Sequence, residues 1–207
     1  MIHGIKWRLF ASIISSLALL LVIAFRWQLV DIVTVFLIPP VLLIFWLLFI
    51  ITGIFSLTCL RKQKSIGRIA IAPIAIQIIT VLLIFFIPFT RIWLKTNFYI
   101  YKSQREEIIN NINQGKYREH ELLNNLYLIP LDHNDPIVSM GGNDIAVEVI
   151  NGKKHLLFYT FRGILDNYSG FIYVPDGGDV SGFSDLNEKR STDIRMLESN
   201  WYYVSHH

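Results

Sequence analysis

Three long uncharged apolar runs fill the first ninety residues, and no other feature constrains the fold of this chain as strongly. Residues 9–25 make a run of 17, residues 32–60 one of 29 and residues 69–89 one of 21, against the roughly 20 apolar residues that a helix needs to cross a hydrocarbon core. Three transmembrane helices are therefore expected, forming an anchor over residues 1–96. Trp7 and Trp27 bracket the first run, about 30 Å apart at a helical rise of ~1.5 Å per residue, where interfacial indoles lie. Lys6 and Arg8 also resemble the lead of a secretory signal. The run ends Val22-Ile23-Ala24-Phe25-Arg26, however, with bulky groups where a signal peptidase requires small ones, so the span is read as retained.

Pro39-Pro40 interrupts the second run. Proline removes a backbone donor and clashes with the preceding turn, so a kink is expected there within a span over residues 32–60, unless the helix begins at the prolines. Orientation follows the basic flanks. Lys6 and Arg8 precede the first span, and Arg61, Lys62, Lys64 and Arg68 lie between the second and third, whereas Arg26 alone, opposed by Asp31, follows the first. Positive charge stays in the cytoplasm. The N-terminus is then cytoplasmic and three spans carry the C-terminal part across, to the periplasm of an inner-membrane protein or to the cell exterior.

The spans contain no ionisable residue of the kind that transporters and voltage sensors keep. Their polar groups are Gln77, Thr80, Ser12, Ser15 and Ser16, with the small residues at a spacing that permits close helix approach, so packing within the chain or between copies is expected. Cys59 is the only cysteine. The domain beyond the membrane therefore has no internal disulfide and depends on its core.

Charge divides sharply along the chain. Residues 1–96 hold nine Lys or Arg against one acid, and residues 97–207 hold ten against fifteen, giving +8 and −5 for the total of +3. An acidic domain repels phosphate at long range, which argues against a nucleic-acid partner. Residues 97–207 are expected to form a single α+β domain with an antiparallel sheet. Phe98, Tyr101, Ile108, Ile109 and Ile112 recur at helical spacing with Arg105 and Glu106 elsewhere, Gly115 is a fitting stop, and residues 117–125 read as a second short helix. Strands are expected at residues 126–131, 145–150, 155–161, 170–174 and 200–204. The strongest local signal is Asn151-Gly152, the pair that supplies the positive φ angles of a tight hairpin. Residues 176–190, rich in Gly, Asp and Ser, read as a loop.

No cofactor or metal is implied. Asp132, His133, Asn134 and Asp135 lie between Pro130 and Pro136 and read as a turn. His120-Glu121 begins a zincin-like motif whose second histidine would fall at Asn124. Asp176-Gly-Gly-Asp179 lacks calcium ligands at the third and fifth positions. Ser169 lacks the leading glycine of a nucleophile elbow, and Arg162, Asp166 and Ser169 bracket a turn. The chain is accordingly expected to be non-enzymatic. Trp201, Tyr202 and Tyr203 are candidate partner contacts, because aromatic residues anchor interfaces; alternation puts Trp201 and Tyr203 on one face of a strand and Tyr202 on the other. Arg162 and Asp166 join them.

Taken together, these features lead to the expectation of a membrane-anchored binding protein that presents an acidic domain to another protein. An immunity protein neutralising a basic, envelope-acting toxin is one concrete form. An assembly or scaffold subunit of a larger membrane complex, using Ser12, Ser15, Ser16 and Gln77, is the alternative.

Overall fold

The structure is a computed structural model that describes residues 2–60, 68–118, 120–123, 126–163, 167–178, 180, 183 and 192–206. It divides into two compact units, Met1–Trp93 and Leu94–His207.

The first unit is helical, with α1 at Ile2–Ala24, α2 at Arg26–Val33, α3 at Ile38–Leu60, α4 at Ala72–Phe86 and the first residues of α5, Phe89–Asn113. Two stretches are long and apolar enough to span a membrane: 19 residues over Lys6–Ala24 and 24 over Val35–Thr58. Of the two readings at Pro39-Pro40 the kink is corrected and the helix begins there, because both prolines lie in the first turn of α3, where a missing N–H leaves no intrahelical bond unmade. What precedes them is the separate α2 and a 3-10 turn at Val35–Leu37. The third run differs most from expectation. Its helix α4 has only 15 residues, and it qualifies as a span only jointly with α5 across the break at Ile87-Pro88. Arg61, Lys62 and Lys64 lie outside the described residues.

The polar side chains of the apolar helices are buried together within the chain. The Ser12 and Ser56 hydroxyls are 2.9 Å apart and those of Ser15 and Thr52 2.8 Å, and Gln77 Nε2 donates to Thr52 Oγ1 at 3.0 Å. One seam thus links α1, α3 and α4. Gly53 makes the last contact possible, since a Cβ there would lie 2.8 Å from Gln77 Oε1. The outward positions are apolar, among them Phe10, Ile14 and Leu17 of α1 and Leu43, Ile50 and Ile54 of α3, as a lipid-facing surface requires.

The second unit is one antiparallel sheet of seven strands in the order β1-β2-β3-β4-β5-β7-β6, with α5 on one face. The strands are β1 His120–Leu123, β2 Leu126–Pro130, β3 Asp144–Ile150, β4 Lys153–Arg162, β5 Tyr168–Tyr173, β6 Thr192–Glu198 and β7 Trp201–His206. Helix α5 ends as its sequence suggests. Gly115 takes φ +71°, its N–H donates to Ile112 O and that of Lys116 to Asn111 O, both at 3.0 Å, which closes the last turn as a Schellman motif. Asn151 and Gly152 both have positive φ, 51° and 76°, and join β3 to β4 in a two-residue turn.

The strands' alternation builds two cores. Ile145, Val147, Leu156, Phe158, Phe171 and Trp201 face Phe98, Ile108, Ile109 and Ile112 of α5. Ala146, Leu157, Tyr159, Ile172 and Val204 face the other way and are covered by Val180 and Phe183. Within the loop expected over residues 176–190, Pro175–Gly177 is a 3-10 turn and Val180 and Phe183 are buried, while residues 179, 181, 182 and 184–190 lie outside the described residues. The short helix expected over residues 117–125 is also corrected. Residues His120–Leu123 pair with β2, and a ladder to a neighbouring strand outweighs the weak helical preference of Glu-Leu-Leu.

Candidate functional site

A groove opens in the second unit between α5 and the β5–β7 sheet, with a volume of about 310 Å³, lined by Lys102, Glu106, Asn110, Tyr173, Asn200 and Trp201. The helix supplies Lys102, Glu106 and Asn110 at a spacing of four, which stacks them along one face. The sheet supplies the opposite wall through the turn from β6 to β7. Asn200 holds φ +68° there, and its carbonyl accepts the Val174 N–H at 2.8 Å, which fixes the turn beside the end of β5.

Charge in the groove is mixed and nets negative. Lys102 Nζ pairs with Glu198 and lies 3.7 Å from Glu106; the hydrogen bond that it donates to Glu198 raises the Lys102 pKa above its ordinary value. One cation thus stands between two carboxylates. Each carboxylate has about four lone-pair sites, so acceptor capacity remains for a cation brought by a partner.

Trp201, expected as an accessible contact, is withdrawn from the surface at 2% exposure. Its ring packs edge-on against Phe98 at 5.5 Å and Tyr173 at 5.4 Å, and against Phe158 at 5.8 Å. It forms the inner wall of the groove instead. Tyr202 and Tyr203 are half-buried and join the two different cores, so neither face of β7 is left bare. Arg162 is exposed at the end of the central strand β4, bonded to Asp144 at 3.0 Å and over the Tyr159 ring at 4.7 Å. Asp166 lies outside the described residues. Ser169 is buried and its hydroxyl is hydrogen-bonded to that of Thr160 at 2.9 Å. The Pro130–Pro136 segment is a turn: Asp135 Oδ2 accepts the Asp132 N–H, and its Oδ1 accepts the Tyr117 hydroxyl, both at 3.0 Å. Burial, and then that carboxylate, pushes the Tyr117 phenol up to about 12.

Two buried groups were not evident from the sequence. Arg105, expected from the sequence to lie off the apolar face, is 1% exposed; it falls seven residues after Phe98 and seven before Ile112, which puts it on that face. Its guanidinium donates to Val138 O at 3.2 Å, Asn97 O at 3.2 Å and Asn97 Oδ1 at 2.5 Å, and stands 4.7 Å from the centre of the Phe171 ring. Burial lowers its pKa to about 9, so it is still a cation at neutral pH. Neutral carbonyls and aromatic faces, rather than a carboxylate, are its ligands. The Val138 carbonyl is held in position by the following loop, in which Asn143 Oδ1 accepts the N–H groups of Val138 and Ser139 at 3.0 and 3.1 Å.

His155 sits opposite Glu148 in the β3–β4 ladder and both are buried. Burial, and then the charge of Lys153, lowers the His155 pKa. The unfolded chain therefore takes up the proton first, so this contribution to stability is whole above the ordinary value of 6.5 and is lost as pH falls below it. Between pH of about 7.5 and 5.5 the unfolding midpoint of the second unit should fall more steeply in the wild type than in His155→Gln. Equal slopes in thermal melts at the two pH values would contradict this.

Comparison with protein families, curated proteins and solved structures gave no match.

Proposed function

We propose that this chain is a three-span membrane protein that holds its second unit outside the cytoplasm as a non-enzymatic binding domain for another protein. The observation that carries this reading is the groove between α5 and the β6–β7 turn, walled by Tyr173 and Trp201 and rimmed by Glu106, Asn110 and Asn200. Aromatic walls with a polar rim are the usual anatomy of a protein-binding pocket. The negative balance at the groove and the net −5 of residues 97–207 favour a basic partner. A basic toxin acting at the envelope fits that description, and neutralising it would make the chain an immunity protein.

Support for the third span comes from both ends of the first unit. At one end, Arg8 near the start of α1 bonds Thr58 near the end of α3. At the other, Trp27 stacks on Trp93 with centroids 6.4 Å apart, and Arg26 donates to Thr90 at 3.2 Å. The third apolar segment thus ends beside the end of the first, at the level where tryptophans mark an interface. With three spans, the basic flanks direct the second unit outward.

The alternative, an assembly subunit, called for Ser12, Ser15, Ser16 and Gln77 to face neighbours. All four are buried within the chain, so none of the polar groups that this reading relies on lies on the outer surface of these helices. Copurification from the native membrane in mild detergent, comparing the full chain with a truncation ending at Lys95, separates the two. A soluble stoichiometric partner lost with the truncation supports capture by the second unit; membrane proteins retained equally by both overturn it.

A further inference from the structure

The sheet ends at β6, whose outer edge has no partner strand among the described residues. Exposed edges are usually blunted, because a row of free N–H and C=O groups invites another strand. Here the edge carries a pattern that selects which strand. Ile194 and Met196 are 41% and 63% exposed on one face, and Asp193 and Arg195 stand between and beside them on the other, paired to each other along the same strand.

We propose that the β6 edge is a self-association surface, on which a second copy pairs its own β6 antiparallel about Ile194. Two strands related by a twofold axis normal to the sheet pair residues of like parity, so few registers exist. Centring on Asp193 sets two carboxylates opposite each other, and centring on Arg195 sets two guanidinium groups opposite each other; both are unfavourable. Centring on Ile194 places Asp193 of each copy opposite Arg195 of the other and the two Ile194 side chains together. That register alone, of the three, makes both charge pairs attractive. The register shift between Met196 and Glu198 bends the strand, which confines pairing to residues 192–196. So short an interface is weak between free molecules, but confinement of both copies to one membrane raises their effective concentration. This surface, residues 192–196, stops short of Glu198, the β6 residue at the groove, and does not depend on the partner proposed for the groove.

The test uses the full chain in lipid nanodiscs or mild detergent with Cys59→Ser, which removes the single native thiol. Directly opposed residues have Cα atoms about 4.5–5.5 Å apart, within reach of a disulfide. Ile194→Cys should yield a covalent dimer on mild oxidation, at least tenfold above Ile137→Cys, a control that is more accessible at 70% exposure. Adding Arg195→Asp should lower that yield to the control level, and adding Asp193→Arg as well should restore it, because the swapped pair is again self-complementary. Equal yields from Ile194→Cys and Ile137→Cys overturn the proposal. So does a yield that Arg195→Asp leaves unchanged, or a double swap that keeps the wild-type melting curve without restoring the dimer.

Discussion

Replacing Arg105 by lysine should destabilise the second unit more than replacing it by methionine, although lysine preserves the charge. The guanidinium reaches Val138 O and both acceptors of Asn97 at once while lying over Phe171. A planar fork can do this and a single ammonium cannot. Lysine would leave a buried cation with part of its hydrogen bonding unmade, at a cost of about 3–5 kcal/mol. Methionine removes the charge and fills most of the volume, so its cost should be about 1–2 kcal/mol. Alanine opens a cavity beneath Phe158 and Phe171 and should cost about 3–4 kcal/mol. Urea unfolding of the full chain, followed by the ordered aromatic signal of the second unit, gives the order. A methionine variant less stable than the lysine variant would show that Arg105 is held by a counter-charge rather than by carbonyls.

Trp201→Ala should be the most disruptive single change in β7, costing about 3–5 kcal/mol. The indole is fully buried among Phe98, Phe158 and Tyr173, and its removal leaves a large cavity between them. Tyr202→Ala, two-sided by alternation and only half-buried, should cost about 1–2 kcal/mol. Hydrogen exchange of β5 and β7 in the full chain distinguishes the two, since a lost indole loosens the strands that it joins. Equal protection in both variants would contradict the assignment of Trp201 to the core. A binding defect in Trp201→Ala alone would then be a folding defect, so partner contacts have to be probed at Glu106 and Asn110.

The parts of this fold that depend on local pattern are legible from residues alone. Asn151-Gly152 specifies its turn because both positions need positive φ, and the strands on either side alternate cleanly. The parity of Trp201, Tyr202 and Tyr203 follows from the same period of two. What could not be read depends on long-range contact. Arg105 stands a heptad step from both Phe98 and Ile112, so periodicity does put it on the buried face; what no spacing rule shows is the acceptor that lets a charge sit there, the loop carbonyl of Val138, thirty-three residues away in sequence. Strand β6 alternates Asp193-Ile194-Arg195-Met196, but its apolar members are exposed, so hydrophobic periodicity marks it weakly; the Ser199-Asn200 turn before β7 is the signal that would have found it. The groove itself joins a helix to a turn some ninety residues later. No spacing rule links those segments before the chain folds. In the first unit, apolar length identified the helices, yet length alone could not show that α4 stops at Phe86, where Ile87-Pro88 interrupts the backbone bonding.

The most direct test of partner capture is to fill the groove without touching the core. Asn110 lies on its helix-side rim, and Asn110→Trp would occupy the space against Tyr173 and Trp201. The full chain carrying Asn110→Trp should keep the wild-type unfolding midpoint and lose the soluble partner recovered from its native membrane by at least tenfold. Undiminished recovery of that partner with the groove filled would contradict the account.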